Sequence, residues 1–550
     1  MAGRVRKVVA KANQRLTIQL AASLLAVSTL ATALLGLFRD RLLNSAYLPN
    51  ESAGLAGYPV GLDAYTVAFI VPDFMFFLLV SGALSVTFIP VFNQYLAQKN
   101  KAEAWEIGIS MINFMALLTL VASVLIMIFA DPLVRYLIAP GLSESGTELA
   151  ISMMRVIAIN PFLFAIATVI TSMQQAIGRF VFSALAPAIY NIGIIIGVTV
   201  FTGGITIFGW EIFEGGIMGV ALGVVLGAVI QLVVSSIGLL GLGFDYRFKI
   251  YWKNKGFRKV LSLLPARSVD QGMDYAVSLV EVNLASRMVD GTIRIYQQAL
   301  TLHMMPINLI GISISNAAYP QLTEDLGNDR YDLFRKGMQK ILRVIIWLIL
   351  PVAAITFFAR GYIAHFIKNG GSEEIAGLLG ALVIAIVFRS IYHIAARSFY
   401  ANQDTKTPFY ISIAAIALNV ILAIWFTQSL GKGAYGLAWA QSIVAVVEVA
   451  VLFVIMARRF PGIFDHALID ALFRMVSATG VMAVVTYAMV LLFPVQATDR
   501  SFWSVFPKFT LIVAVSFIVY IAISKVFSLQ EVNPVLAKAK KILFPPNTNT

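Results

Sequence analysis

Apolar runs of about 20 residues, separated by short polar segments, recur along the whole chain, and each is long enough to cross a bilayer as a helix. Spanning helices are predicted near residues 15–38, 62–90, 106–130, 148–175, 182–203 and 215–242. A second set is predicted near 260–288, 292–321, 338–365, 375–400, 408–428, 434–457, 468–494 and 505–527. The pattern predicts an all-α polytopic membrane protein with about fourteen transmembrane helices, because only helices and closed barrels satisfy their backbone groups in lipid. No sizeable soluble domain fits between the runs.

The two halves resemble each other at an offset of about 230 residues, enough for a six-helix unit. GALSVTFIPVFNQYLAQKN (Gly82–Asn100) aligns with ISISNAAYPQLTEDLGNDR (Ile312–Arg330), which sets Pro90 over Pro320. Asn191 in the fifth predicted helix likewise pairs with Asn419 in the eleventh. Six helices return the chain to the side it started from, so the repeat is parallel, related by an axis along the membrane normal. The expected division is an N-lobe over 1–245, a C-lobe over 246–460, and helices thirteen and fourteen with a cytoplasmic tail over 461–550.

Composition agrees with this reading and removes others. Hydrophobic residues make up 59% of the chain and charged residues 13%, with mean hydropathy +0.84, whereas a soluble domain is about half apolar and roughly a quarter charged. The net charge of +13 sits in short clusters between apolar runs, which argues for membrane topology and against nucleic acid. If the N-terminus is cytoplasmic, the cytoplasmic loops collect Lys99, Lys101, Arg179, the cluster from Arg247 to Lys259, Arg335, Lys336, Lys340, Arg458, Arg459, Lys538, Lys540 and Lys541. The opposite loops hold Glu144, Glu211, Glu214, Asp290, Glu373 and Glu374. This positive-inside bias places both termini in the cytoplasm. The basic start, Arg4 to Arg15, looks like a signal peptide, but no small-residue cleavage site precedes Arg39, so the first run is kept as a spanning helix. Without cysteine there are neither disulfides nor thiolate metal sites.

A charge at the bilayer centre costs about 2.5–3.5 kcal/mol on insertion scales, so ionisable residues inside spanning helices are candidates for function. Arg267, Asp270, Asp274, Ser278 and Glu281 recur at helical spacing and line one face of the seventh helix. Arg287 and Arg294 follow near the outer ends of helices seven and eight, and Gln297, Gln298 and His303 continue into the eighth. Two readings stand: a hydrophilic cavity wall in which arginines bind an anion and Asp270, Asp274 and Glu281 bind a proton or cation, or an internal ion pair of Arg267 with Asp270 or Asp274. Arg389, His393 and Arg397 share a face of the tenth helix, with Arg389 the deepest and a second cavity candidate. Arg39 and Asp63 are further candidates, readable also as a local surface bridge, and Glu448 stands alone in AVVEVAVLF. Pro72, Pro90, Pro161, Pro187, Pro306 and Pro320 interrupt apolar helices and are expected to bend them. No Walker loop, HExxH, CxxC or serine elbow is present, so neither cofactor, metal nor ATP hydrolysis is expected.

Seven stretches carry a resemblance: LLGLFRD (Leu34–Asp40), DAYTVAF (Asp63–Phe69), SGALSVTFIPVF (Ser81–Phe92), APG (Ala139–Gly141), GRFVFSALAPAIYNIGII (Gly178–Ile195), PINLIGISISNAAYPQL (Pro306–Leu322) and SFYANQDTKTP (Ser398–Pro408). On them the chain resembles the MurJ (MviN) family of lipid II flippases, within the multidrug, oligosaccharidyl-lipid and polysaccharide exporter superfamily. The resemblance implies two lobes around a cavity, alternating access, and movement of an undecaprenyl-diphosphate-linked disaccharide pentapeptide from the inner to the outer leaflet for cell wall synthesis. It implies lipid II as partner, besides membrane lipids and the cell-wall synthesis machinery. It carries over Arg39 and Asp63 as site residues. The sequence departs elsewhere: Ala33, Phe76, Phe77 and Ser81 stand where members often have charged residues, and QQALTL at Gln297–Leu302 lacks the ADR arginine. Arg267, Arg287, Arg294 and Arg389 are the candidates to supply the missing charge. The alternatives are an exporter of another polyprenyl-linked saccharide, a cation-coupled drug antiporter, a membrane glycosyltransferase or a lipid-binding scaffold.

Overall fold

The computed structural model describes residues 18–47, 59–81, 87–207, 210–496 and 498–537; the side chains of 265–274 are outside the described set, and with them those of Arg267, Asp270 and Asp274. Among the described residues the regular structure is helical apart from a small antiparallel hairpin, β1 (Ile205–Ile207) with β2 (Trp210–Phe213), between the fifth and sixth predicted spans. Contacts divide it into two units, Met1–Arg294 and Ile295–Thr550.

The first unit contains α1 (Ile18–Tyr47), α2 (Val60–Phe76), α3 (Ile89–Ala97), α4 (Lys101–Pro132), α5 (Glu144–Ile157), α6 (Asn160–Ala176), α7 (Val181–Thr199), α8 (Met218–Ile237) and α9 (Lys255–Ser286). Polar loops start helices where a short side chain takes up free backbone donors: Asn100 accepts from Glu103 N at 3.3 Å, and Asn254 from Gly256 N and Phe257 N at 2.9 and 3.1 Å. α7 and α8 approach backbone to backbone. A Cβ on Gly193 would lie 2.2 Å from Gly227 Cα, and one on Gly197 2.6 Å from Gly223 Cα. In lipid, where burial of apolar surface gives helices little drive to associate, such small-residue contacts are what hold them together. Phe88, Phe92, Met111, Met173 and Phe257 fill the core between α3, α4, α6 and α9.

α9 packs on α2, α3 and α4, and the contact boundary falls at Arg294. The connection before it is tied to α4 by hydrogen bonds to Asn113 and Ser110, which hold the start of α9 on the first unit.

α10 (Thr292–Pro306) leads into the second unit, which contains α11 (Ser313–Gly327), α12 (Tyr331–Phe358), α13 (Arg360–Ile367), α14 (Glu373–Ala401), α15 (Lys406–Ile424), α16 (Gly433–Arg459), α17 (His466–Leu492) and α18 (Phe502–Val526). α14 is its centre, in contact with α12 and α16. The last two helices pack on α12, with Trp347 Nε1 donating to Ser524 Oγ at 3.1 Å and Tyr520 Oη to the Trp347 carbonyl at 2.8 Å. Pro132 and Pro306 each stand immediately before a π-helical stretch, Leu133–Ile138 and Ile307–Ile312, where the proline has removed a ladder donor.

Among the described residues twelve helical segments are long and apolar enough to span a bilayer. The two predicted spans outside that set are α9 and the α10–α11 run, which carry the polar residues singled out above. Large side chains such as Leu117, Ile128, Val484 and Trp503 lie exposed on the spanning helices, as lipid contact requires.

Candidate functional site

The first unit has a polar centre where α1, α2, α7 and the start of α10 bring charged groups out of the apolar pattern. LLGLFRD lies in the last half of α1, and its Arg39 donates from Nη1 to Asn191 Oδ1 at 3.0 Å and from Nη2 and Nε to Asp40 Oδ1 at 3.1 and 3.3 Å. Arg294 reaches the same Asp40 oxygen from Nη2 at 3.2 Å and lies 5.8 Å from the centre of the Tyr65 ring. One carboxylate oxygen is thus shared by two guanidiniums. Asp40, Arg294 and Asn191 are buried, whereas the Arg39 side chain keeps 22% exposure, which leaves it the accessible edge of the group.

Asp63 does not bridge to Arg39, the local pairing considered from sequence. Its Oδ1 accepts from Arg294 N at 2.7 Å and its Oδ2 from Gly291 N at 2.5 Å, and it is 1% exposed. The carboxylate therefore caps the first turn of α10, where free backbone donors and the positive dipole end favour an anion. It fixes the turn that carries Arg294. The two guanidiniums thus lie among the carboxylates of Asp40, Asp63 and Asp73, and opposite charges together are how buried charges are tolerated.

The other candidates lie elsewhere. Arg287 is exposed at the end of α9, with Nε donating to Asn283 Oδ1 at 3.3 Å, and among the described residues no bond joins it to Asp40 or Asp63. Its backbone packs against the APG turn, where a Cβ on Gly141 would lie 2.6 Å from Arg287 Cα. Glu281 is buried on α9.

In the second unit Arg389 Nη1 donates to Glu448 Oε2 at 3.0 Å, Ser412 Oγ donates to Glu448 Oε1 at 3.0 Å, and Tyr392 Oη lies 3.0 Å from Ser412 Oγ. Glu448, which the sequence left isolated, is therefore a buried ion-pair partner. His303 is buried, with Nδ1 2.8 Å from the Leu300 carbonyl. The SFYANQDTKTP signature joins the end of α14 to the start of α15. Asp404 Oδ1 accepts from Thr407 N at 3.0 Å, and Asp404 and Thr407 Oγ1 both bind Arg459 at the end of α16.

Asp40, Asn191, Tyr65 and Gly291 are the site residues that the sequence reading missed. Asp40 had a signal in its place beside Arg39, Asn191 in the internal repeat and Tyr65 in the DAYTVAF stretch; the Gly291 amide had none, because it acts only through the approach of residue 63. No group of three or more acidic or imidazole side chains suited to a metal occurs among the described residues.

The family model described as lipid II flippase MurJ matches residues 53–506. The chain is 23% identical over 520 residues to the probable lipid II flippase MurJ of Thermotoga maritima, covering 93% of this chain and 97% of that protein. It is 24% identical over 526 residues to the lipid II flippase MurJ of Thermosipho africanus, covering 94% and 98%. The solved structure of a lipid II flippase MurJ in an inward closed conformation matches its fold with TM-score 0.72 at 24% identity over 92% of this chain and 98% of that one. An inward-facing multidrug resistance MATE family transporter of the MOP superfamily matches with TM-score 0.65 at 17% identity over 80% and 98%.

Proposed function

This chain belongs to the lipid II flippase MurJ family, and from that premise we propose that it carries lipid II across the cytoplasmic membrane by alternating access, with Arg39 and Arg294 as the diphosphate-binding pair. The observation that carries the reading is the convergence of these two guanidiniums on Asp40 Oδ1. A diphosphate leaving water for the membrane loses hydration, and guanidiniums offset that loss with charge-assisted, two-pronged hydrogen bonds. Asp40 gives the pair a partner when no substrate is bound. An entering diphosphate competes with Asp40 for the same donors, and on its release the carboxylate takes them back, so the site never holds two uncompensated cations.

Arg294 also answers the departure at the ADR position. Gln298 falls within the segment where that arginine is expected, and Arg294 lies four residues earlier, one turn along the same helical face. Asp63 sets the height of that turn. In the second unit the Arg389–Glu448 pair is the place where a proton or ion gradient would act, because protonating Glu448 releases the guanidinium. Arg267, Asp270, Asp274 and Glu281, with Arg287, stay secondary candidates by their sequence spacing alone, and both termini face the cytoplasm. The role is transport, with no bond of the substrate broken.

The test is complementation: the chain is expressed in a bacterium whose own lipid II flippase is depleted, and lipid II exposed at the outer leaflet is measured. Exposure is restored by the wild-type chain and lost with Arg39→Ala or Arg294→Gln at normal membrane abundance. Restoration by both variants to the wild-type level would remove the arginine pair from the mechanism.

A further inference from the structure

Away from the polar centre, the first unit has an open cavity of about 1110 Å³ between α4, α6, the end of α8 and the connection over 238–254, a size at the upper end of small-molecule sites. Its walls are apolar, including Ile112, Leu117, Leu120, Ile166, Ile170 and Leu239. Leu117 and Leu120 are exposed, so the cavity opens sideways onto the lipid-facing surface of α4.

The rim is built, not loose. Asn113 Nδ2 donates to the carbonyls of Arg247 and Lys249 at 2.9 and 3.0 Å, Tyr246 Oη donates to Asn113 Oδ1 at 2.7 Å, and Tyr251 N donates to Ser110 Oγ at 2.9 Å. Held in this way, the rim turns Phe248, at 92% exposure, and Trp252 outward beside Lys249. Residues 245–259 contain six basic side chains and a single acid, Asp245, which pairs with Arg247 at 3.2 Å. Lys249, Lys253, Lys255, Arg258 and Lys259 are all exposed.

An apolar slot open to lipid, an aromatic collar and a cationic rim match, in that order, the acyl chains, the glycerol level and the phosphate of an anionic lipid. We propose that this cavity seats the acyl chains of an anionic glycerophospholipid whose phosphate is held by Lys249 and its basic neighbours. A zwitterionic lipid offers the same chains but carries a cation into a cluster of lysines and arginines, so the rim selects against it.

The absence of cysteine makes a direct test possible, because Phe248→Cys gives a single thiol for a bimane label at the rim. The labelled full chain is reconstituted in phosphatidylcholine vesicles, and quenching is followed as chain-brominated phosphatidylglycerol or chain-brominated phosphatidylcholine is added. Phosphatidylglycerol is expected to quench at about tenfold lower mole fraction, as a few lysines near a lipid phosphate provide. The exposed triple substitution Lys249→Gln, Lys253→Gln and Lys255→Gln removes that preference, giving up the contact of the Lys249 ammonium with the Tyr251 ring at 5.0 Å and leaving the apolar walls in place. Ala116→Phe, which fills the slot, weakens quenching by both lipids. Equal quenching by the two lipids in the labelled Phe248→Cys chain overturns the proposal, and so does an undiminished preference when the triple substitution is added to it.

Discussion

Arg39 and Arg389 each set a guanidinium against a carboxylate inside an apolar helix bundle, but the two arrangements differ in how many positive charges the carboxylate meets. Asp40 serves two arginines, while the backbone at the start of α10 is held separately by Asp63. Glu448 serves one arginine and accepts a hydroxyl from Ser412, and Arg389 stays 29% exposed. The repeat-related asparagines differ in the same sense. Asn191 accepts from Arg39 and donates to the Pro187 carbonyl, whereas Asn419 is buried with neither amide atom paired among the described residues. The lesson is that a parallel repeat duplicates helices without duplicating chemistry. The first unit gathers two guanidiniums on one carboxylate oxygen, whereas in the second a single guanidinium meets one carboxylate and the Gln441 amide oxygen.

The most severe test of this comparison is Asp40→Ala. It strands two guanidiniums and should lower unfolding stability in detergent by about 3–5 kcal/mol while abolishing lipid II exposure in the complementation assay. Wild-type stability in that variant would mean the pair has another anchor and the comparison fails. Glu448→Gln strands one partly solvated arginine and should cost about 2 kcal/mol. The apolar double replacement Arg389→Met with Glu448→Leu should regain most of that loss in the same melt, and no recovery would show that the pair does more than offset its own burial. Asp63→Ala removes a cap at the start of α10 and should cost about 1 kcal/mol. It should also reduce lipid II exposure by letting Arg294 drift, with Asp63→Asn retaining more exposure than Asp63→Ala; equal losses would separate the cap from transport.

The smallest effect concerns pH. Burial pushes the Asp404 carboxyl up, but the Thr407 donors and the Arg459 guanidinium outweigh it and hold the group below the usual carboxylate value. A depressed carboxylate contributes stability that is fully present above its unfolded value and lost as pH falls through the lower folded one. The gap in melting temperature between wild type and Arg459→Gln should therefore be constant from neutral pH down to the ordinary carboxylate range and close below it, for a contribution of about 0.5 kcal/mol. A gap that persists in acid would assign the stability to packing.

Much of this was legible in the residues. Apolar runs of bilayer length determined the helices, the charge bias determined the expected orientation, and the spacing of 191 and 419 pointed to related helices. Arg39, Asp63 and Arg294 were found as charges in an apolar background, since lipid makes every such charge conspicuous. Their partners were not found. Whether Asp63 binds Arg39 or the amides of residues 291 and 294 depends on a separation of 228 and 231 residues being closed in space, and no periodicity encodes that. The placement of α9 on the first unit, the pairing of Glu448 and the rim pinned by Asn113 were likewise decided only by tertiary structure. The one-dimensional pattern specifies which residues must leave lipid, because that cost is local; which group meets them is specified by packing, because a hydrogen bond of 3 Å is a property of two segments at once.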